Sequence, residues 1–299
     1  MTIDVEGLAG QVADLRDRAE RRETPCGAGR MVWHLWGQGP PLVLLHGGSG
    51  SWTHWFRNIP ALAREFRLLV ADMPGLGDSD MPPEPFRPDD YPATMAMMAG
   101  VIGDGIDALL GETARFHLAG FSLGSIAGTC LAAASAAAER VATLTLVGSA
   151  AFGLPWNGLQ GPLTRMTAAM TVPERLEAQR RNLGVIMLGD MAQADDLAAY
   201  LQLRNVERAR VRSHGIGETD ALVRALAHVT APINGIWGRD DVYAQPNLAA
   251  IGEILRGRDP EARYAVLDGA GHWVMYERAA AFDRVLLESI RGRSADLDG

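Results

Sequence analysis

The chain has little of what would mark a secreted, metal-bound or nucleic-acid-binding protein. Its two cysteines, Cys26 and Cys130, lie far apart and form no C-x-x-C pair. No disulfide framework or zinc site follows, and reduced, cytoplasmic life is the expectation. Positive charge is in deficit: a net charge of −8 and a pI near 5.4 argue against a nucleic-acid or anionic-membrane partner. The N-terminus carries Asp4, Glu6, Asp14 and Asp17 in place of an apolar core, so no signal peptide is expected. No apolar run approaches the length of a membrane span, and none is expected to cross one. G-x-G-x-x-G is absent from the first glycine-rich turn, which removes the usual dinucleotide fingerprint.

What remains is ordinary material for a large α/β protein: 299 residues, 47% hydrophobic and 21% charged. Residues 5–22 space Leu8, Val12, Leu15 and Ala19 as one face of an amphipathic helix, which makes 1–22 an N-terminal helical segment. Two short strands, from Glu23 and from Arg30, flank Gly27-Ala28-Gly29. Pro41–Leu45 reads as a strand buried on both faces. A helix is expected over Trp52–Ala63, a strand over Arg67–Ala71, and a long helix over Thr94–Leu110. Strands and helices alternate to about residue 149 and again from 218. That pattern predicts a largely parallel sheet with helices on both faces, built from 23–149 and 218–299. Residues 150–217 show helical segments and no clear strand, and are read as an inserted lid. Its arginines (Arg180, Arg181, Arg204, Arg208, Arg210, Arg212) make a solvated basic face, from which one turned inward could hold a carboxylate.

The organising stretch is Gly120-Phe121-Ser122-Leu123-Gly124, which follows an apolar strand and opens a run of small residues. A serine between glycines at a strand-to-helix turn is the nucleophile-elbow pattern. The hydroxyl stands above the sheet, and the N–H of Leu123 lies at a helix N-terminus, where negative charge is favoured. His46-Gly47-Gly48-Ser49-Gly50-Ser51 follows an earlier strand and reads as an oxyanion loop, with Gly48 as a second donor. A plain βα turn is the alternative. Two later strands end in Gly238-Arg239-Asp240-Asp241 and in Gly269-Ala270-Gly271-His272. Asp72 and Asp78 are read as bonding their own turn.

These four motifs, in the order H-G-G, G-x-S-x-G, G-x-x-D and G-H, resemble those of the α/β-hydrolase superfamily over about residues 24–292. Trp52 to Ile59 and Gly271-His272-Trp273 are closer still to the meta-cleavage-product hydrolases, which cleave carbon–carbon bonds. That group carries asparagine just before the nucleophile, where this chain has Phe121. The resemblance implies a nucleophile Ser122, a base His272 and an acid Asp241, with no metal or organic cofactor. Ser49, His54, Phe121, Trp156 and Trp273 are expected to line the substrate pocket. The implied reaction is hydrolysis of a small carboxylic ester or lactone. Carbon–carbon hydrolysis and a ligand receptor of the same fold stand as alternatives. A small-molecule substrate is the expected partner, and the reading leaves room for a homo-oligomer.

Overall fold

The computed structural model describes residues 3–87, 90–159, 161–212 and 215–294. Eight strands form one sheet: β1 (Glu20–Cys26), β2 (Gly29–Trp36), β3 (Pro41–Leu45), β4 (Arg67–Asp72), β5 (Phe116–Phe121), β6 (Val141–Val147), β7 (Ile233–Gly238) and β8 (Arg263–Leu267). Their spatial order is β1-β2-β4-β3-β5-β6-β7-β8. The β1–β2 and β2–β4 pairs are antiparallel and the other pairs are parallel. The helices are α1 (Val5–Arg16), α2 (Ile59–Leu62), α3 (Tyr91–Leu110), α4 (Leu123–Ala134), α5 (Val172–Ile186), α6 (Asp196–Arg208), α7 (Ala221–Leu226), α8 (Leu248–Arg258), α9 (Val274–Glu277) and α10 (Ala279–Ser294).

The central strands are mostly apolar because both of their faces are covered; His117 on β5 and Thr143 and Thr145 on β6 are buried polar exceptions. Alternate residues feed different cores. Val43, Leu45, Leu69 and Ala71 pack with α3, α4, α7 and α8. Leu42, Leu44, Leu68 and Val70 pack instead with α2, α10 and the helices α5 and α6.

Several sequence expectations are corrected. The N-terminal helix stops at Arg16, and β1 begins at Glu20, earlier than the composition suggests. Its residues Glu20 to Glu23 are exposed, so charges on this outermost strand meet water and discourage further pairing. The helix docks on the body: Trp36 donates its indole N–H to the Leu15 carbonyl at 3.1 Å. The helix expected over Trp52–Ala63 is broken into a 3₁₀ turn, Trp52–Trp55, and the short α2, which has a proline in its first turn. Helix α10 runs from Ala279 to Ser294. It holds because Arg293 is buried and pairs with Asp259.

By length and composition α3 is apolar enough to cross a membrane, with a mean hydropathy of 1.4, against the expectation that no run qualifies. Alanine, glycine and methionine supply ten of its twenty residues, so its branched residues are spread thinly along it. In the fold it packs on α4 and β1, with Met95, Met98, Ile102 and Ile106 fully buried.

Between β6 and β7 lie α5 and α6, packed on each other, with no strand among the described residues of 150–217. Thr171 and Glu174 cap α5 reciprocally, and Asp195 caps α6. The arginines of this stretch mostly pair within the protein. Arg180 pairs with Asp196, Arg181 with Glu177, Arg204 with Glu207, and Arg208 with Asp78. Arg210 bonds the Ser79 carbonyl, while Arg212 is exposed. His214 lies outside the described residues.

Candidate active site

Crowding explains the elbow. A Cβ at Gly120 would collide with the Gly124 carbonyl, and one at Gly124 with the carbonyls of Leu45 and His46. Strand β5, strand β3 and helix α4 can approach this closely only through glycine. Between the two glycines Ser122 is held at φ 52° and ψ −115°, a left-handed conformation costly for a residue with a Cβ. Its N–H donates to Val147 O at 2.8 Å. Its side chain makes no cap bond to α4. The N–H groups of Ser125 and Ile126 fold back on Ser122 O. Those of Leu123 and Gly124 are the free donors of the helix start.

Asp241 and His272 meet from the ends of β7 and β8. His272 Nδ1 lies 3.0 Å from both carboxylate oxygens of Asp241. A carboxylate only accepts, so Nδ1 carries the proton and Nε2 is the free, basic face. Asp241 is fully buried while Asp240 is exposed, which decides between the two adjacent aspartates. Oδ1 of Asp241 also accepts the Tyr243 N–H at 2.9 Å. A Cβ on Gly238 would collide with the Gly271 carbonyl, so bare backbone brings the two loops together.

Phe121, next to Ser122 in the chain, places its ring centroid 4.9 Å from that of His272. The Tyr243 ring lies 4.6 Å away, with Trp156 stacked on Tyr243 at 5.6 Å. Burial, then the Asp241 charge, push the Tyr243 hydroxyl up to about 12, so it stays protonated near neutrality. Among the described residues, no hydrogen bond joins the Ser122 hydroxyl to the imidazole.

Two of the residues expected to line a pocket, Ser49 and Trp156, keep accessible surface. The other three are buried. Phe121 is 1% exposed, and a Cβ at Gly47 would press on its ring. Trp273 is fully buried, stacks on Tyr276 at 4.3 Å and donates to His54 O. His54 is 1% exposed with both ring nitrogens occupied: Nδ1 accepts the Gly47 N–H at 3.2 Å, and Nε2 meets Gln202 Oε1 at 3.0 Å. It is a strut beneath the loop and not a wall. His46 is likewise engaged, bonding Gly47 O through Nδ1 and accepting the Met73 N–H at Nε2. Asp72 accepts from the N–H groups of Trp52 and Asp78.

Some participants carried no local signal. Glu277, on α9, accepts N–H bonds from Gly271 at 2.6 Å, Gly189 at 2.9 Å and Asp190 at 3.1 Å. It therefore ties the histidine loop to the end of α5. Burial pushes its carboxyl up to about 7, against the pull of these amide donors. Gln202 and Asn205 tie α6 to the loop at 46–53. Their one trace in the sequence is position: they fall on the buried stripe Ala198, Leu201, Gln202, Asn205, where amides interrupt apolar residues.

Among the described residues one group has a cation-like spacing: His34, Asp72 and Asp78. Their oxygens are largely committed to Trp52, Asp78 N–H and Arg208, which does not suit a ligand set. A cavity of about 390 Å³ opens between α3, α4 and α7, beside Met95, Ala99, Cys130 and His228. None of Ser122, Asp241 and His272 lines it.

Comparison with known proteins agrees with this fold. A family model described as alpha/beta hydrolase fold matches residues 40–279. The acetyltransferase component of the acetoin cleaving system of Pseudomonas putida is 30% identical over 258 residues, 85% of this chain. The chain spans only 64% of that relative's length. A 2-hydroxymuconate semialdehyde hydrolase of Pseudomonas sp. (strain CF600) is 30% identical over 268 residues, 83% of this chain and 86% of the relative. A solved membrane phospholipase A superposes with a TM-score of 0.74 over 96% of this chain and 91% of its own, at 21% identity, a likeness of fold.

Proposed function

Because the chain belongs to the alpha/beta hydrolase fold family, we propose that it is a serine hydrolase cleaving a small carboxylic ester or lactone through an acyl-enzyme. The observation that carries this reading is the buried His272–Asp241 pair whose imidazole packs on Phe121, the residue before a serine held in a strained elbow. A serine hydroxyl is a weak nucleophile without a base. Here Nε2 of His272 would accept its proton while Asp241 holds the tautomer and stabilises the imidazolium that forms. The proton then passes to the leaving oxygen. The N–H groups of Leu123 and Gly48 would receive the oxyanion, each typically worth about 10²–10³ in rate. Water hydrolyses the acyl-enzyme by the same steps in reverse order of partners.

Carbon–carbon hydrolysis is the second reading. Relatives named for it, such as the Pseudomonas semialdehyde hydrolase, favour it. Phe121, apolar and buried beside the nucleophile, favours the ester class, since it offers no polar group to a vinylogous diketo acid.

The test is turnover of short-chain and aryl esters alongside a vinylogous diketo acid, by the wild type and by Ser122→Ala. The expected result is ester turnover that falls by about 10⁶ in the variant. Ester turnover that survives the substitution near the native rate removes Ser122 from its role. Preference for the diketo acid selects the second reading.

A further inference from the structure

The loop at 46–51 does not hold its own shape. Ser49 sits at φ 47°, in the left-handed region, without the freedom of glycine. Loop residues on both sides of Gly48 are fixed from outside. On one side, Gly47 donates its N–H to His54 Nδ1 at 3.2 Å. On the other, Ser49 O accepts from Gln202 Nε2 at 3.3 Å. The two fixings are one network, because Gln202 Oε1 also receives the His54 Nε2–H at 3.0 Å. An imidazole that accepts at Nδ1 must donate at Nε2, so the amide orientation and the tautomer determine each other. Next to Gln202, Asn205 Nδ2 reaches the same Oε1 at 3.4 Å. Its Oδ1 accepts from Ser51 at 2.7 Å and from Thr53 at 3.0 Å. His54, Gln202, Asn205, Ser51 and Thr53 are all buried, so these bonds face little competition from water. The ring also lies against the loop so closely that a Cβ at Gly50 would collide with it.

Gly48 lies between the two fixed points. We propose that Gln202, a residue of the inserted helix α6, is a positioning residue that sets the Gly48 N–H through the relay Gln202–His54–Gly47 and its own bond to Ser49. The proposal rests on the reading of Ser122 as nucleophile and Gly48 as oxyanion donor. It makes the inserted helices part of the catalytic geometry, beyond any role in covering the substrate. Without Gln202 the imidazole loses the acceptor that fixes its tautomer, and Ser49 loses the bond across its strained turn.

Labelling by a fluorophosphonate tests this without knowledge of the substrate. The Ser122 hydroxyl attacks phosphorus, the P–O bond forms, fluoride leaves and the proton goes to His272. The phosphoryl oxygen occupies the oxyanion position. The proteins compared are wild type, Gln202→Met, His54→Phe and the double variant, with the labelled residue mapped by peptide. The expected result is a maximal labelling rate about 10–100-fold lower in each single variant. The double variant should be no slower than Gln202→Met, which already removes both the relay and the bond to Ser49. The concentration for half-maximal rate should stay within about threefold. Either single variant suffices if the other does not fold. A folded single variant that labels at the wild-type rate overturns the proposal, as do losses that multiply in the double. If wild type itself is not labelled at Ser122, the reading of the nucleophile fails first, and the two failures are thereby distinct.

Discussion

The inserted helices are fastened to two loops of the proposed site by opposite chemistry. At the loop of residues 46–53 the ties are neutral: amides of Gln202 and Asn205, the hydroxyls of Ser51 and Thr53, and His54, whose imidazole burial holds down to about 3. At the loop of His272 the tie is a carboxyl, Glu277, with a value near 7. The first fastening does not change between pH 5 and 8. The second gains or loses a proton in that range. The comparison teaches that one insertion can hold half of a site rigidly while the other half responds to protons.

The largest expected effect sharpens the chemical side of this contrast. Asp241→Asn leaves the shape of the histidine loop in place but allows the wrong tautomer of His272. We expect turnover of an activated ester to fall by about 10⁴, far more than the loss expected on the oxyanion side from Gln202→Met. Steady-state kinetics of the two variants measures the gap. Comparable losses would break the contrast.

Glu277→Gln tests the carboxyl fastening. The amide keeps an acceptor for Gly189 and Asp190 but presents N–H to the Gly271 N–H, at a cost of about 1–3 kcal/mol. It also removes a titration. The folded protein holds the Glu277 proton up to about pH 7, and the ordinary value is 4.5. Between these values the folded state binds more proton than the unfolded. This group's contribution to stability is therefore complete below 4.5 and lost as pH rises through 7. Thermal melts at pH 5 and 8 should show wild type losing more stability with rising pH than Glu277→Gln. Asp283, also raised by burial to about 7, keeps part of the slope in the variant. Identical slopes would remove Glu277 from that role.

The smallest effect belongs to a third tie. Arg57 bonds Asp195 at 2.5 Å and the Tyr276 carbonyl at 3.0 Å, and its guanidinium lies 3.7 Å from the Tyr276 ring centre. It is partly exposed, so water already screens it. Arg57→Ala should cost about 1 kcal/mol in denaturant unfolding, with turnover within about twofold of wild type. A larger loss of turnover would make this peripheral pair a third control on the site.

What could be read from the chain alone was whatever is decided locally. Pro41–Leu45 is an unbroken apolar run, and β3 has those bounds. The elbow was legible because crowding at a strand-to-helix turn demands glycine on both sides of Ser122. The start of β1 was not, because Glu20 to Glu23 are charged and become a strand only by pairing with β2. The break after Trp55 left a local trace, the proline in the first turn of α2. The sequence places His54 and Trp273 next to the motifs but does not show how deeply they are buried. Their burial depends on partners such as Gln202, separated from His54 by 148 positions, and no local period reports such a distance.

The left-handed turn at Ser122 has a consequence for any attempt to make this protein hardier. A backbone at φ 52° suits glycine better than serine, and holding serine there costs on the order of 1–3 kcal/mol. Selection for robustness alone would drift toward glycine at this position and end with a sturdier fold that no longer does chemistry. The penalty is carried by the one side chain the proposed reaction can least spare, so hardiness has to be sought elsewhere in the chain.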